Sequence, residues 1–141
     1  MSNINSKNII ILRGVAGAGK STVAALFANA VTVSADDYFT HSDGSYHFDA
    51  SKLKLAHEHC QSEFVAHCQS ESEMGVETIV VANTNIMPEH FAFYENFAKA
   101  MGHKVFHIVI ENRHGNQNIH NVPATVLMNM EVNLRDNLTL Q

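Results

Sequence analysis

No apolar run in this chain is longer than a strand. The longest, Ile9–Leu12 and Ile79–Ala82, fall far short of the ~20 residues a membrane-spanning helix needs. The opening residues, Met1-Ser2-Asn3-Ile4-Asn5-Ser6-Lys7, lack the apolar core of a secretory signal, so a cytoplasmic protein is expected. Cysteine is scarce: Cys60 and Cys68 stand alone, eight positions apart in a helical pattern. That places them more than two turns apart along one helix, beyond the reach of a disulfide, and reduced core thiols suit a cytosolic protein. Positive charge is scarce as well. Nine Lys and Arg face fourteen acidic residues and ten His, for a net charge of −5, and no basic run exists. A tight sequence-independent grip on duplex nucleic acid is argued against. A short substrate end held by one or two cationic groups is still allowed. Repeats, low-complexity tracts and Pro/Gly-rich linkers are absent, and 141 residues are most economically one domain, 1–141.

What is present alternates. Asn8–Arg13 is a continuous β-branched run ending at a glycine, the pattern of a strand buried on both faces. A helix is expected from about Lys20 to Asn29, with Val23, Leu26 and Phe27 inward. Val31–Ser34 reads as a second strand, and Asp36–Asp49 as a loop or short helix. Ser51 or Asp49 can cap the next helix, which runs to about Gln69 with Leu53, Ala56, Cys60, Phe64 and Cys68 on one face. Thr78–Ala82 is the third strand, and Pro88 opens a helix bearing Phe91, Tyr94, Phe97 and Met101 that stops at Gly102. Lys104–Ile110 is the fourth strand, and Pro123 opens a last helix to about Asp136. This alternation predicts an α/β fold, a parallel four-stranded sheet with helices on both faces and room for a fifth, edge element. Ligands of such sheets sit beyond the carboxyl ends of the strands.

The segment after the first strand is Gly14-Val15-Ala16-Gly17-Ala18-Gly19-Lys20-Ser21-Thr22, which matches G-x-x-x-x-G-K-[ST] between a strand and a helix. Gly14, Gly17 and Gly19, with the small Ala16 and Ala18, let the backbone fold around phosphate oxygens and aim N–H groups at them. The helix start adds a favourable dipole. Lys20 reaches the β- and γ-phosphates of ATP or another nucleoside triphosphate, Ser21 supplies a hydroxyl to Mg²⁺, and Thr22 completes the motif. This is a P-loop NTPase signature. After the second strand, Ser34-Ala35-Asp36-Asp37-Tyr38-Phe39 places two carboxylates at the mouth of the same sheet. A phosphotransferase acting on an alcohol needs a carboxylate to take the hydroxyl proton, and Asp36 or Asp37 can supply it. An ordinary capping turn explains the pattern equally well on spacing alone.

As a set, these motifs resemble the kinase half of phage polynucleotide kinase and, more closely, the small AAA-like P-loop kinases and ATP-binding proteins. The likeness rests on the P-loop, Ser34–Phe39, the Gly44-Ser45-Tyr46-His47-Phe48-Asp49 stretch and Ala56-His57-Glu58-His59-Cys60. Asn83-Thr84-Asn85 and Val122-Pro123 complete it, and it spans about Asn8 to Met130. The resemblance implies that Asp36 is the general base, with Asp37 orienting the loop or a metal-bound water; with no acid ending the third strand, Asp36 is also a candidate ligand of Mg²⁺ beside Ser21. It also implies a lid before the last helix that brings Arg113 onto the phosphates, and an acceptor that is a nucleotide or a single-stranded polynucleotide 5′-end.

The sequence departs from that family at four positions. Ala82 stands where relatives often carry an acid, and Asn83 where polynucleotide kinases carry aspartate. Gln117 replaces a second lid arginine, and Phe39 replaces an arginine that grips the acceptor. Asn83 and Asn85 can still hydrogen-bond waters or an acceptor. These losses keep a second reading alive, an ATP-binding regulatory or interaction protein with weakened catalysis. The histidines, including His57 and His67 near Cys60 and Cys68, lack the ligand spacing of a structural zinc site. His114 and His120 flank the lid and are candidate phosphate contacts when protonated.

Overall fold

A computed structural model describes residues 6–70, 77–111 and 122–138. The strands are β1 (Asn8–Arg13), β2 (Ala30–Val33), β3 (Thr78–Val81) and β4 (Lys104–Val109). They form one parallel sheet in the order β2-β3-β1-β4. β1 therefore has a neighbour on each side, Asn8 pairing with both Thr78 and Lys104. Its alternate residues feed two layers, which is why the run is apolar at every position. Ile9 and Ile11 join Val33, Ile79 and Val81 in one core. Ile10 and Leu12 join Val80 in the other.

The first core is closed by α2 (Leu53–Gln69) and α3 (Pro88–Ala100). Ala56, Cys60, Phe64 and Cys68 recur at helical spacing and are wholly buried, and Phe64 meets Tyr94 of α3 edge to face at 5.0 Å. Leu53 does not join this stripe; it stays substantially exposed. Both cysteines are free and buried, and burial pushes the Cys68 thiol up to about 12. The Asp49 carboxylate, rather than Ser51, supplies the cap ahead of α2, accepting from the Ser51 backbone N–H at 3.0 Å.

The opposite face carries α1, which is shorter than its sequence pattern predicts. It spans Lys20–Ala24, and the chain then tightens into three-residue turns, Leu26 N–H to Val23 O at 3.0 Å and Phe27 N–H to Ala24 O at 3.2 Å. Asn29 takes a left-handed φ of 55° and β2 begins at the next residue. The tighter winding rotates each side chain further than an α-helix does. Val23 and Phe27 still pack on the sheet, but Leu26 turns out to solvent at 77% exposure. The last helix, α4 (Ala124–Asp136), packs Leu134 against Val15, Ala18 and Ile86 at the carboxyl end of the sheet.

At the other end of the sheet a buried polar clamp joins β1 to α2. The Lys7 ammonium, 2% exposed, donates to His67 O at 2.9 Å and Ser70 Oγ at 3.2 Å. The Lys7 backbone N–H donates to His103 Nδ1 at 3.0 Å. His103 must then carry its proton on Nε2, which lies 3.2 Å from Cys68 O.

Candidate nucleotide-binding and phosphotransfer site

The loop after β1 is fixed by its neighbours before any ligand is considered. Gly14 N–H donates to Thr84 O at 3.0 Å, and Ile110 N–H to Arg13 O at 2.7 Å. A Cβ on Gly14 would stand 2.9 Å from Ile110 O, so no larger residue fits there. Gly17 and Gly19 have φ of 81° and 104°, a region in which a Cβ is strained. Ala16 is half-buried and Ala18 is buried. Gly19 leads into α1 without a side-chain cap.

Lys20 is folded back over this loop. Its ammonium donates to Gly14 O at 3.0 Å and Val15 O at 2.9 Å. Burial lowers its pKa to about 8, and the charge of Asp36 opposes that shift. Ser21 and Thr22 face solvent at the loop's end.

The acid-bearing turn follows β2. Ser34 caps a short 3₁₀ turn, Ala35–Phe39, its Oγ accepting from Asp36 N–H at 3.2 Å. The Asp36 carboxylate is exposed and accepts from the Tyr46 hydroxyl at 3.1 Å. Its charge acts on both Lys20 and His57. Asp37 has other company. Burial raises its pKa, the like charges of Glu63 and Asp36 raise it further, and His59 opposes them. The two carboxylates are thus distinguished by surroundings: Asp36 shares a field with the P-loop lysine, and Asp37 with α2.

One expectation about the site changes. Asn83 and Asn85 are structural rather than free for a ligand. Asn83 Oδ1 accepts from Ala35 N–H at 2.8 Å, tying the end of β3 to the acid turn. Asn85, 1% exposed with φ of 47°, donates to Leu12 O at 2.8 Å. Phe39, 4% exposed, is core beside Tyr46 and Phe48 and offers no acceptor grip. Arg113, His114, Gln117 and His120 lie outside the described residues, and with them the segment read as a lid.

One residue that sequence reasoning passed over is Arg13. It is 6% exposed and donates to Asn85 O and Ile86 O, each at 2.9 Å, with its guanidinium 4.6 Å from the Phe91 ring centre. An arginine ending an apolar run looks like a solvent-facing stop; only its distant carbonyl partners reveal otherwise. A second unforeseen feature is a cleft of about 390 Å³ beside the P-loop. Val15, Val109, Ile110, Leu134 and Leu138 line it together with the charged Glu111, Glu131 and Arg135.

The donor set around the loop consists of hard oxygens, the Ser21 hydroxyl and the Asp36 carboxylate, of the kind Mg²⁺ accepts. Among the described residues no group of three or more His, Cys, Asp or Glu is gathered to hold a metal ion. The residues fit an ion held jointly with phosphate oxygens rather than an all-protein cage. No described helix is long and apolar enough to cross a membrane.

Comparison with known proteins agrees with this arrangement. A family described as an AAA domain matches residues 9–131. Among solved structures, the Mycobacterium tuberculosis APS kinase CysC aligns with a TM-score of 0.51 at 14% identity, over 95% of this chain and 99% of that one. A second structure of that kinase, in complex with AMPPNP and APS, aligns at 0.50 and 18% identity over 75% and 62%. The Pnkp1/Rnl/Hen1 RNA repair complex aligns at 0.53 and 14% identity, over 99% of this chain and 42% of its counterpart. At these identities the likeness is one of fold, that of P-loop kinases.

Proposed function

The chain belongs to this AAA domain family, and from that premise we propose that it is a P-loop phosphotransferase, moving the γ-phosphoryl of ATP or another nucleoside triphosphate to a hydroxyl acceptor. The observation that carries the reading is placement: Lys20, in the loop after β1, and the solvent-facing Asp36, in the turn after β2, stand at the carboxyl end of one parallel sheet.

The roles follow from chemistry. Lys20 exchanges the carbonyls of Gly14 and Val15 for β- and γ-phosphate oxygens. The backbone of Gly14, Ala16, Gly17, Ala18 and Gly19 wraps the phosphates, and Ser21 and Thr22 close the end of the cradle. The cleft beside Val15, lined by apolar side chains and by Glu111, Glu131 and Arg135, is the seat we assign to the base. Mg²⁺, when bound, neutralises phosphate charge, with Ser21 as its protein ligand and Asp36 as a second. Asp36 takes the proton of the acceptor hydroxyl as its oxygen bonds to the γ-phosphorus. The bond from that phosphorus to the β–γ bridging oxygen breaks, the diphosphate leaves, and Asp36 returns its proton to water. Arg113 enters on the sequence alone, as a cation for the γ-phosphoryl oxygens.

A nucleotide or polynucleotide 5′-OH is the acceptor class we favour. Its support is the family resemblance, together with neighbours whose structures concern APS with AMPPNP and RNA repair. One observation favours the other reading, a nucleotide-binding regulatory protein: β3 is followed by Ala82, and Asn83 and Asn85 make backbone hydrogen bonds. No carboxylate therefore stands ready for Mg²⁺ at the end of that strand.

The deciding experiment incubates the protein with γ-labelled ATP, Mg²⁺ and a panel of nucleosides, 5′-OH oligonucleotides and sugars. Label transfer that Asp36→Asn removes supports the kinase. Saturable ATP binding without transfer to any acceptor supports the regulatory protein.

A further inference from the structure

The stretch from Gly44 to Asp49 stands out in the sequence, yet the phosphotransfer roles above leave it unused. In the structure it forms the return arm of a small hairpin that folds back on the acid turn. Thr40 and Tyr46 form an antiparallel bridge, and His41 N–H donates to Ser45 O at 2.8 Å. Gly44 makes the reversal at φ 86°, and Asp43 Oδ1 accepts from both the backbone N–H and the hydroxyl of Ser45, at 2.9 and 2.6 Å. His47 N–H donates to Phe39 O at 2.9 Å, so the arm is stitched to the end of the turn carrying Asp36.

Each of these contacts bears on where one phenol goes. The Tyr46 ring stands edge-on to Phe39 at 6.2 Å between centres, and Phe39 is itself core. The hydroxyl is delivered 3.1 Å from Asp36 Oδ1. The Asp36 backbone is held independently, its carbonyl accepting from Thr40 Oγ1 at 3.2 Å. A half-buried aromatic side chain thus anchors one oxygen of an exposed carboxylate.

We infer that Tyr46 is the positioning residue for Asp36: its hydroxyl holds Oδ1 and so presents the carboxylate to the acceptor hydroxyl. The inference rests on the phosphotransfer reading for its catalytic consequence, and on the hairpin geometry for the contact itself. Burial and the Asp36 charge push the phenol up to about 12, so it remains a donor throughout the working range.

The test is Tyr46→Phe, which keeps the ring on Phe39 and removes only the oxygen. The expected result is a kcat about tenfold lower, because a general base loses its fixed orientation, with KM for ATP and melting temperature unchanged. In an Asp36→Asn background, Tyr46→Phe should add nothing, since the two residues act as one unit. An undiminished kcat in Tyr46→Phe, alongside loss of transfer in Asp36→Asn, would overturn the inference and leave the kinase standing. So would a tenfold loss that persists in the Asp36→Asn background. NMR of protein carrying ¹³Cζ-labelled tyrosine reads the contact without turnover. The Tyr46 resonance should move in Asp36→Ala, and an unmoved resonance overturns the inference. Should the wild type transfer label to no acceptor while that resonance moves, the contact stands and the kinase reading falls.

Discussion

The carboxamide oxygen of Asn83, at the exit of β3, accepts the backbone N–H of Ala35, at the exit of β2, across 2.8 Å. The same side chain points its nitrogen at Cys60 Sγ, 3.6 Å away on α2. The acid turn is therefore hung from the neighbouring strand by one residue. Asn83→Ala should lower stability by about 1–3 kcal/mol, the cost of leaving a polar group unpaired. Asn83→Asp keeps an acceptor for Ala35 N–H and should lose less. Urea denaturation of the two variants checks the order.

Lys20 gives a prediction with a pH sign. Mg-ATP at a hundredfold excess over Kd should add ~2.7 kcal/mol of stability, and Lys20→Ala should remove most of the resulting melting shift. The phosphates require the ammonium form, and the free protein loses that proton near pH 8. ATP binding should therefore take up a proton above pH 8, and affinity should fall up to about tenfold per pH unit from there towards 10.5. Calorimetry in buffers of different ionisation enthalpy measures the uptake directly. Without ATP the sign reverses. The unfolded chain holds the Lys20 proton between pH 8 and 10.5 while the folded one does not, so this group's contribution to stability rises with pH across that window. Lys20→Met should flatten that rise.

Asp36 and Asp37 should separate in kinetics. Asp36→Asn should cut transfer by roughly 10²–10⁴-fold with ATP binding intact. Asp37→Asn should act weakly, because Asp37 keeps company with Glu63 and His59 rather than with Lys20. The reverse ranking would make Asp37 the base.

Arg13 should matter for folding rather than for turnover. Arg13→Met removes charged donors from Asn85 O and Ile86 O and should cost about 2–3 kcal/mol. Chemical denaturation gives the loss, and ATP affinity of the remaining folded protein should be near that of the wild type.

Much of this was legible in the chain because it depends on local pattern. Ile9–Leu12 is apolar at every position because both faces of β1 are covered, and Gly14, Gly17 and Gly19 are glycines because the loop backbone needs them. The stripe on α2 followed from its period. What stayed hidden depends on partners far along the chain. Asn83 and Asn85 look like ligand-binding polar residues until Ala35 and Leu12 are found against them. Phe39 and Tyr46 look like loop aromatics until the hairpin closes, and α1 looks longer because its apolar period continues past the point where β2 forces a turn.

The position of β1 has a consequence for biosynthesis. The most apolar strand of the sheet is made first, yet its partners are Thr78–Val81 and Lys104–Val109. From Asn8 to Thr78 is 78 − 8 = 70 residues, and to Lys104 it is 104 − 8 = 96. At ribosomal speeds of roughly 5–20 residues per second, Ile9–Leu12 waits roughly 4–14 s for β3. During that interval the nascent chain carries its stickiest segment unpaired, and a holding chaperone has a defined stretch to shield.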